Sequence, residues 1–170
     1  ALERKCGAEK ARLVYKSTCP ICQAAIGQPV RHSMDHLERA AHAASNADER
    51  EIHYDLRSRG VADEYDMDAA ASRILRIEAQ LEGVTSNPTY ISVMSHPIGA
   101  CFMLSGDSEL EYKLPSTVAR ELGFAAHHAI HHLALVRIIA TKTVGLSDLE
   151  LPQDFGRAPS TVNYDHQIAK

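Results

Sequence analysis

The segment ELGFAAHHAIHHLALVRIIA, residues 121–140, constrains this chain more than any other. Four of the chain's ten histidines, His127, His128, His131 and His132, fall within six consecutive positions of a stretch otherwise apolar enough to be a buried helix. A neutral imidazole in a core needs a hydrogen-bonding or metal partner, so a fold that buries this segment must provide several at once. Read as a helix, Glu121, Ala125, His128, His132, Leu135 and Ile139 recur at steps of three and four and form one seam. His128 and His132 are i and i+4 on that seam, so their rings project from adjacent turns and can share one metal ion. Glu121 stands two turns earlier on the same seam, placed as a second acceptor or a base. His127 and His131 form another i, i+4 pair, turned by about 100°. The sequence leaves open which pair faces inward.

Two histidines do not complete a site, because a zinc-like ion takes three protein ligands and an open position, or four protein ligands. The stretch VRHSMDHLE offers donors: His32 and His36 are again i and i+4, with Asp35 beside His36. Two helices with paired histidines among apolar residues can build a metal site in a helical core. The candidate ligands are therefore His32 and His36 of one helix and, on the other, either His128 with His132 or His127 with His131. The plainer alternative is hydrogen-bonded or solvated histidines, above all for His127 and His131. His42, His53, His96 and His166 stand apart and read as non-ligands.

Around these segments the pattern is mainly helical. Residues 2–16 can form a first helix with a thin apolar stripe at Leu13 and Val14. A second is expected over 23–44, with Pro29 near its start, where a missing N–H costs least. Its buried face is Ile26, Val30, Met34, Leu37 and Ala41. EIHYDLRSRG reads as an irregular, charged connector. The third helix runs over 61–83, with Ala70, Ile74, Ile77 and Leu81 buried and Gly83 at the stop position. TYISVMS, GACFMLSG and ELEYKL are short, β-prone and separated by turn signals, predicting a small meander or hairpin. Ser116 is the expected N-cap of the fourth helix, which runs to about Thr141. An irregular tail from about residue 142 follows. The expectation is one domain over residues 1–170, an up-down four-helix bundle with a small β insertion between helices three and four.

With 170 residues, the chain can bury a real core. Its net charge of −4 gives no basic footprint for nucleic acid and no reason to expect a membrane surface. The N-terminal stretch mixes charges and does not resemble a signal peptide, so a cytoplasmic protein is expected. Cys19 and Cys22 form a C-x-x-C pair, open to redox or zinc chemistry. No strand-like run precedes it and no second close pair exists, so all four cysteines read as reduced and structurally incidental. In the connector, Arg57 and Arg59 can clamp an anionic substrate, making Arg57 the cofactor-binding candidate. Alternatively, Arg57 braces a carboxylate such as Asp55 or Glu121.

The segments IGQPVRHSMDHLE, HYDLRSRG and RELGFAAHHAIHHLALV, in this order, resemble the DinB-like superfamily of metal-binding four-helix bundles. The likeness runs from about Ile26 to Val136. It implies an up-down bundle and a three-histidine site for a divalent metal, with zinc or nickel the expected ion. Carried over by position, the ligands fall on His32, His128 and His132, which leaves His36 and His131 as secondary candidates. This chain has AIGQPVRH where members of the superfamily usually carry SxGQHVRH, so Pro29 departs from the pattern. It also has LAL where R-G-Q often follows the last histidine. The resemblance implies a metal-dependent S-transferase in which the ion activates a low-molecular-weight thiol against a small-molecule electrophile, in a chain that can form a homodimer. A hydrolytic variant would activate water instead, with Glu121 or Asp35 as proton acceptor. The competing class is a non-enzymatic metal-binding or stress-associated protein.

Overall fold

The computed structural model describes residues 2–56, 58–107, 110–143, 145–147 and 150–168. The chain is mainly helical, with a small three-stranded mixed sheet set between helices. The N-terminal segment forms two short helices, α1 (Leu2–Cys6) and α2 (Ala8–Tyr15), in place of the single one expected. Gly7 divides them with φ of 79°, a left-handed conformation that interrupts a helix and that glycine adopts at little cost.

Helix α3 (Gly27–Ser45) carries Pro29 in its first turn, as its chemistry requires. Gly27 is needed where α3 begins. A Cβ there would lie 2.1 Å from the backbone oxygen of Glu64, in the 3-10 turn Ala62–Glu64. The connector after α3 is not wholly irregular, because Glu51–His53 forms strand β1. Three residues are too short to show a period, and the strand exists only by pairing with a distant one.

Helix α4 (Met67–Thr85) is capped by Asp66, whose side chain accepts from the backbone N–H groups of Asp68 and Ala69. It runs two residues past Gly83. Its buried stripe is Ala70, Ile77 and Val84, while Ile74 is 47% exposed. Steps of seven residues along one narrow seam leave Ile74 outside it. The β-prone TYISVMS is largely a short helix, α5 (Tyr90–Met94). Val93 and Met94 pack beside Val118 and Leu122. Strand propensity yields to tertiary context here.

Strands β2 (Pro97–Met103) and β3 (Glu111–Thr117) form the expected hairpin. β1 adds to it in parallel through β2, giving the order β1-β2-β3. Helix α6 (Val118–Thr143) starts directly after β3. Ser116 is inside the strand, and the capping oxygen is that of Thr117, which accepts from the Arg120 N–H at 3.3 Å. The tail is more ordered than expected. Leu146, Leu151 and Phe155 pack against the main core, and Pro159 opens a final helix, α7 (Pro159–Ile168).

The main core joins Ile26, just before α3, and Met34 of α3 to Ala70 and Ile77 of α4 and Val136, Ile139 and Ala140 of α6. A second cluster lies under the sheet, with Ile52, Tyr54, Ile98 and Ala100 against Ala43. Helix α3 therefore packs on both α4 and α6. Among the described residues, no helix is long and apolar enough to cross a membrane.

Candidate metal centre

Helix α3 has two polar stripes about 100° apart. Arg31 and Asp35 form the first. Arg31 bonds Asp35 at 2.5 Å and Glu64 at 2.9 Å. Arg73 of α4 reaches Asp35 at 2.8 Å, Asp63 at 2.8 Å and Glu38 at 2.5 Å. Burial works against the charged form of Arg73, but the carboxylates of Glu38, Asp63 and Asp35 outweigh it and hold its pKa above the ordinary value. Both oxygens of Asp35 thus go to arginines that tie α3 to α4 and the 3-10 turn.

His32 and His36 form the other stripe, which meets His128 and His132 of α6. The Nε2 of His128 lies 3.1 Å from the Nε2 of His32 and 3.0 Å from the Nε2 of His132. The rings of His32 and His132 are 4.5 Å apart, centre to centre. An imidazole Nε2 offers either one hydrogen or one lone pair. The two close pairs thus both draw on the single Nε2 of His128. A single cation accepts all three lone pairs at once. Zn–N bonds of about 2.0–2.1 Å in tetrahedral geometry separate ligand nitrogens by about 3.3 Å. The two separations about His128 are within a few tenths of an ångström of that value, a spacing that suits a shared divalent ion.

His36 also contributes. One ligand atom from each of His32, His36 and His128 lies within 4.8 Å of the others. The His36 ring is nearly parallel to that of Tyr54, at 4.7 Å, and 4.1 Å from that of His128. The cluster thus offers two overlapping triads that share His32 and His128. His132 Nε2 approaches His128 Nε2 at 3.0 Å, and His36 stands between the cluster and Tyr54. His127 and His131 are not drawn into this convergence: His127 lies on the outward side of α6, and the ring of His131 lies 5.3 Å from that of His132, at the rim.

Glu121 is completely buried. It accepts from Tyr54 Oη at 2.9 Å, Ser116 Oγ at 2.5 Å and Arg120 Nη1 at 2.7 Å. Burial, with the Glu121 charge beside it, holds the Tyr54 phenol well above the ordinary tyrosine range. Glu121 therefore reaches the histidines through Tyr54, whose ring lies on His36. A groove of about 470 Å³ opens beside Glu121, Arg120 and Phe102.

Sequence reasoning passed over Tyr54, because the basic residues of its connector drew attention instead. The inward alternation of Ile52 and Tyr54 is the signal that could have found it. Arg57 lies outside the described residues, and Arg59 is exposed.

Fold and site together define a mainly helical chain in which imidazoles from two packed helices converge on one point. FK506-binding protein 5 of the fungus Rhizopus delemar is 34% identical to this chain over 113 residues. That match covers 66% of this chain and 27% of the fungal protein, so the chain spans about a quarter of its curated relative. No family model matches, and no solved structure does.

Proposed function

We propose that this chain is a divalent-metal-binding protein of the DinB-like type, its helices arranged as an up-down bundle, with His32, His128 and His132 as ligands. One observation carries the reading: Nε2 of His128 lies within 3.1 Å of Nε2 on both other histidines. A divalent ion held by three imidazoles and open at one position makes a bound thiol or water a nucleophile near neutral pH. On this reading the chain is a thiol S-transferase acting on a small electrophile.

The protein's own groups divide the remaining work. His36 and Tyr54 wall the centre, and Glu121 fixes Tyr54 from behind. On this reading Asp35, held by two arginines, and Glu121, held by Tyr54, Ser116 and Arg120, both position other groups and neither is the proton acceptor. Zinc and nickel both suit an all-imidazole set. The name of the fungal relative carries no FK506-binding reading to this chain, because so little of that protein is covered.

The test is turnover. Protein purified without a histidine tag and loaded with zinc or nickel is mixed with glutathione or cysteine and a chlorinated aromatic electrophile, and thiol consumption is followed. The expected result is consumption well above that of chelator-treated protein and of His132→Ala. Equal rates in all three samples, with a full equivalent of metal bound to wild type, would favour a non-enzymatic metal-binding protein.

A further inference from the structure

The outer face of the sheet holds a second constellation, separate from the helical histidines. In a strand, alternate residues share a face. Ile52, Ile98 and Ala100 point into the core, so Glu51, His53, Gly99 and Cys101 belong to the opposite face. The register aligns them: Glu51 is opposite Gly99, His53 opposite Cys101, and Cys101 opposite Lys113. One ligand atom from each of Glu51, His53 and Cys101 lies within 4.8 Å of the others. Cys101 is only 3% exposed, so its sulfur is sheltered beneath this group.

The partners of His53 add a second, independent observation. Its Nδ1 lies 2.5 Å from Glu111 Oε2, which makes Nδ1 the protonated nitrogen when the ring is neutral. Its Nε2 then carries the lone pair and faces Glu51 Oε2 at 3.4 Å. A metal-ligating histidine is commonly held this way, with one nitrogen donating to a carboxylate and the other free for the ion. Gly99 has no side chain on this face between Glu51 and Cys101, which leaves a notch. The Lys113 side chain crosses that notch, where a Cβ on Gly99 would meet Lys113 Cε at 2.4 Å. Its ammonium bonds Glu51 at 2.6 Å.

We propose that Glu51, His53 and Cys101 form a second divalent-metal site, with Glu111 orienting His53 and Lys113 as the cation that the metal displaces. One thiolate, one imidazole and one carboxylate suit a zinc-like ion. On binding, the Cys101 thiol gives up its proton to solvent and its sulfur becomes a ligand. The ion would link β1 to β2. Because β1 leads directly into Tyr54, it would also stiffen the residue that walls the helical centre. The site stands on its own residues and does not depend on the helical histidines binding metal.

Cobalt(II) is the probe, since a thiolate ligand gives it a near-ultraviolet charge-transfer absorption that an all-imidazole site lacks. Wild type titrated with cobalt is expected to develop that absorption, and zinc is expected to abolish it. Cys101→Ser and His53→Ala should each lose it, while Glu111→Gln should bind cobalt at least tenfold more weakly. The pair His128→Ala and His132→Ala should leave the absorption intact. Absence of the band in wild type, or its persistence in Cys101→Ser, would overturn the proposal, the latter by assigning it to Cys19 or Cys22. If Cys101→Ser fails to fold by circular dichroism, loss or persistence of the band in His53→Ala decides the matter in the same way.

Discussion

Tyr54 donates its phenol hydrogen to the buried carboxylate of Glu121 across 2.9 Å, joining the end of β1 to the first turns of α6. The same ring lies flat on His36, so one side chain connects the sheet, α6 and the histidine cluster. Removing the acceptor should be costly. Glu121→Ala would leave the Tyr54 phenol and the Ser116 hydroxyl without this oxygen, a loss of roughly 1–3 kcal/mol for each buried polar group stranded. Urea denaturation should show a lower midpoint. A midpoint equal to wild type would mean that water or another acceptor replaces Glu121 without cost.

Alkaline pH gives a separate test of Tyr54. Its folded-state pKa is raised above the ordinary value of 10.0 by burial and by Glu121. The neutral phenol therefore contributes stability that is fully present below pH 10 and is lost as pH rises through the folded value. In that window the unfolded chain releases a proton that the folded chain keeps. Stability should fall by about 1.4 kcal/mol per pH unit from this group. Tyr54→Phe should start less stable at neutral pH and decline less steeply above pH 10. Parallel slopes for the two proteins would refute this assignment.

The ion pairs on the other stripe of α3 should matter for stability and not for metal. Asp35→Ala leaves Arg31 and Arg73 short of a buried partner, a change expected to cost roughly 3–5 kcal/mol. Metal stoichiometry, measured where the variant is folded, should remain that of wild type. Loss of the metal with the fold intact would return Asp35 to the centre.

Gly27→Ala tests the close approach of α3 to the 3-10 turn. The new Cβ would meet the Glu64 backbone oxygen at 2.1 Å, and backbone on both sides yields less readily than a flexible side chain. A loss of roughly 1–3 kcal/mol is expected from the forced shift. Melting within about a degree of wild type would show that the two segments separate freely.

The long helices were legible because each carries a period that burial enforces. Met34, Ile77 and Ile139 all fall on buried seams. The spacing of His128 and His132 places them on one stripe whatever the rest of the chain does, and only tertiary packing decides that this stripe, and not that of His127 and His131, meets α3. Short elements were not legible. β1 is three residues that form a strand only because Gly99, Ala100 and Cys101 lie alongside, and TYISVMS is largely a helix that packs Val93 and Met94 beside Val118 and Leu122. Asp35 looked chemical beside His36, yet a step of one residue on a helix turns a side chain by about 100°, here towards Arg73. His53 and Cys101 lie far apart in the chain and looked isolated until the parallel register made them neighbours.

The central claim is most directly tested by the metal content of protein purified without a histidine tag or a nickel column, comparing wild type with His128→Ala plus His132→Ala. Samples are reconstituted with zinc or nickel, dialysed and analysed in the Cys101→Ser background, which removes the sheet site from the count. About one ion per chain is expected, lost in the double variant with the helical content unchanged. An ion retained by the double variant, or none held by its parent, would contradict the claim, and the convergence of His32, His128 and His132 would then be a packing arrangement without a metal.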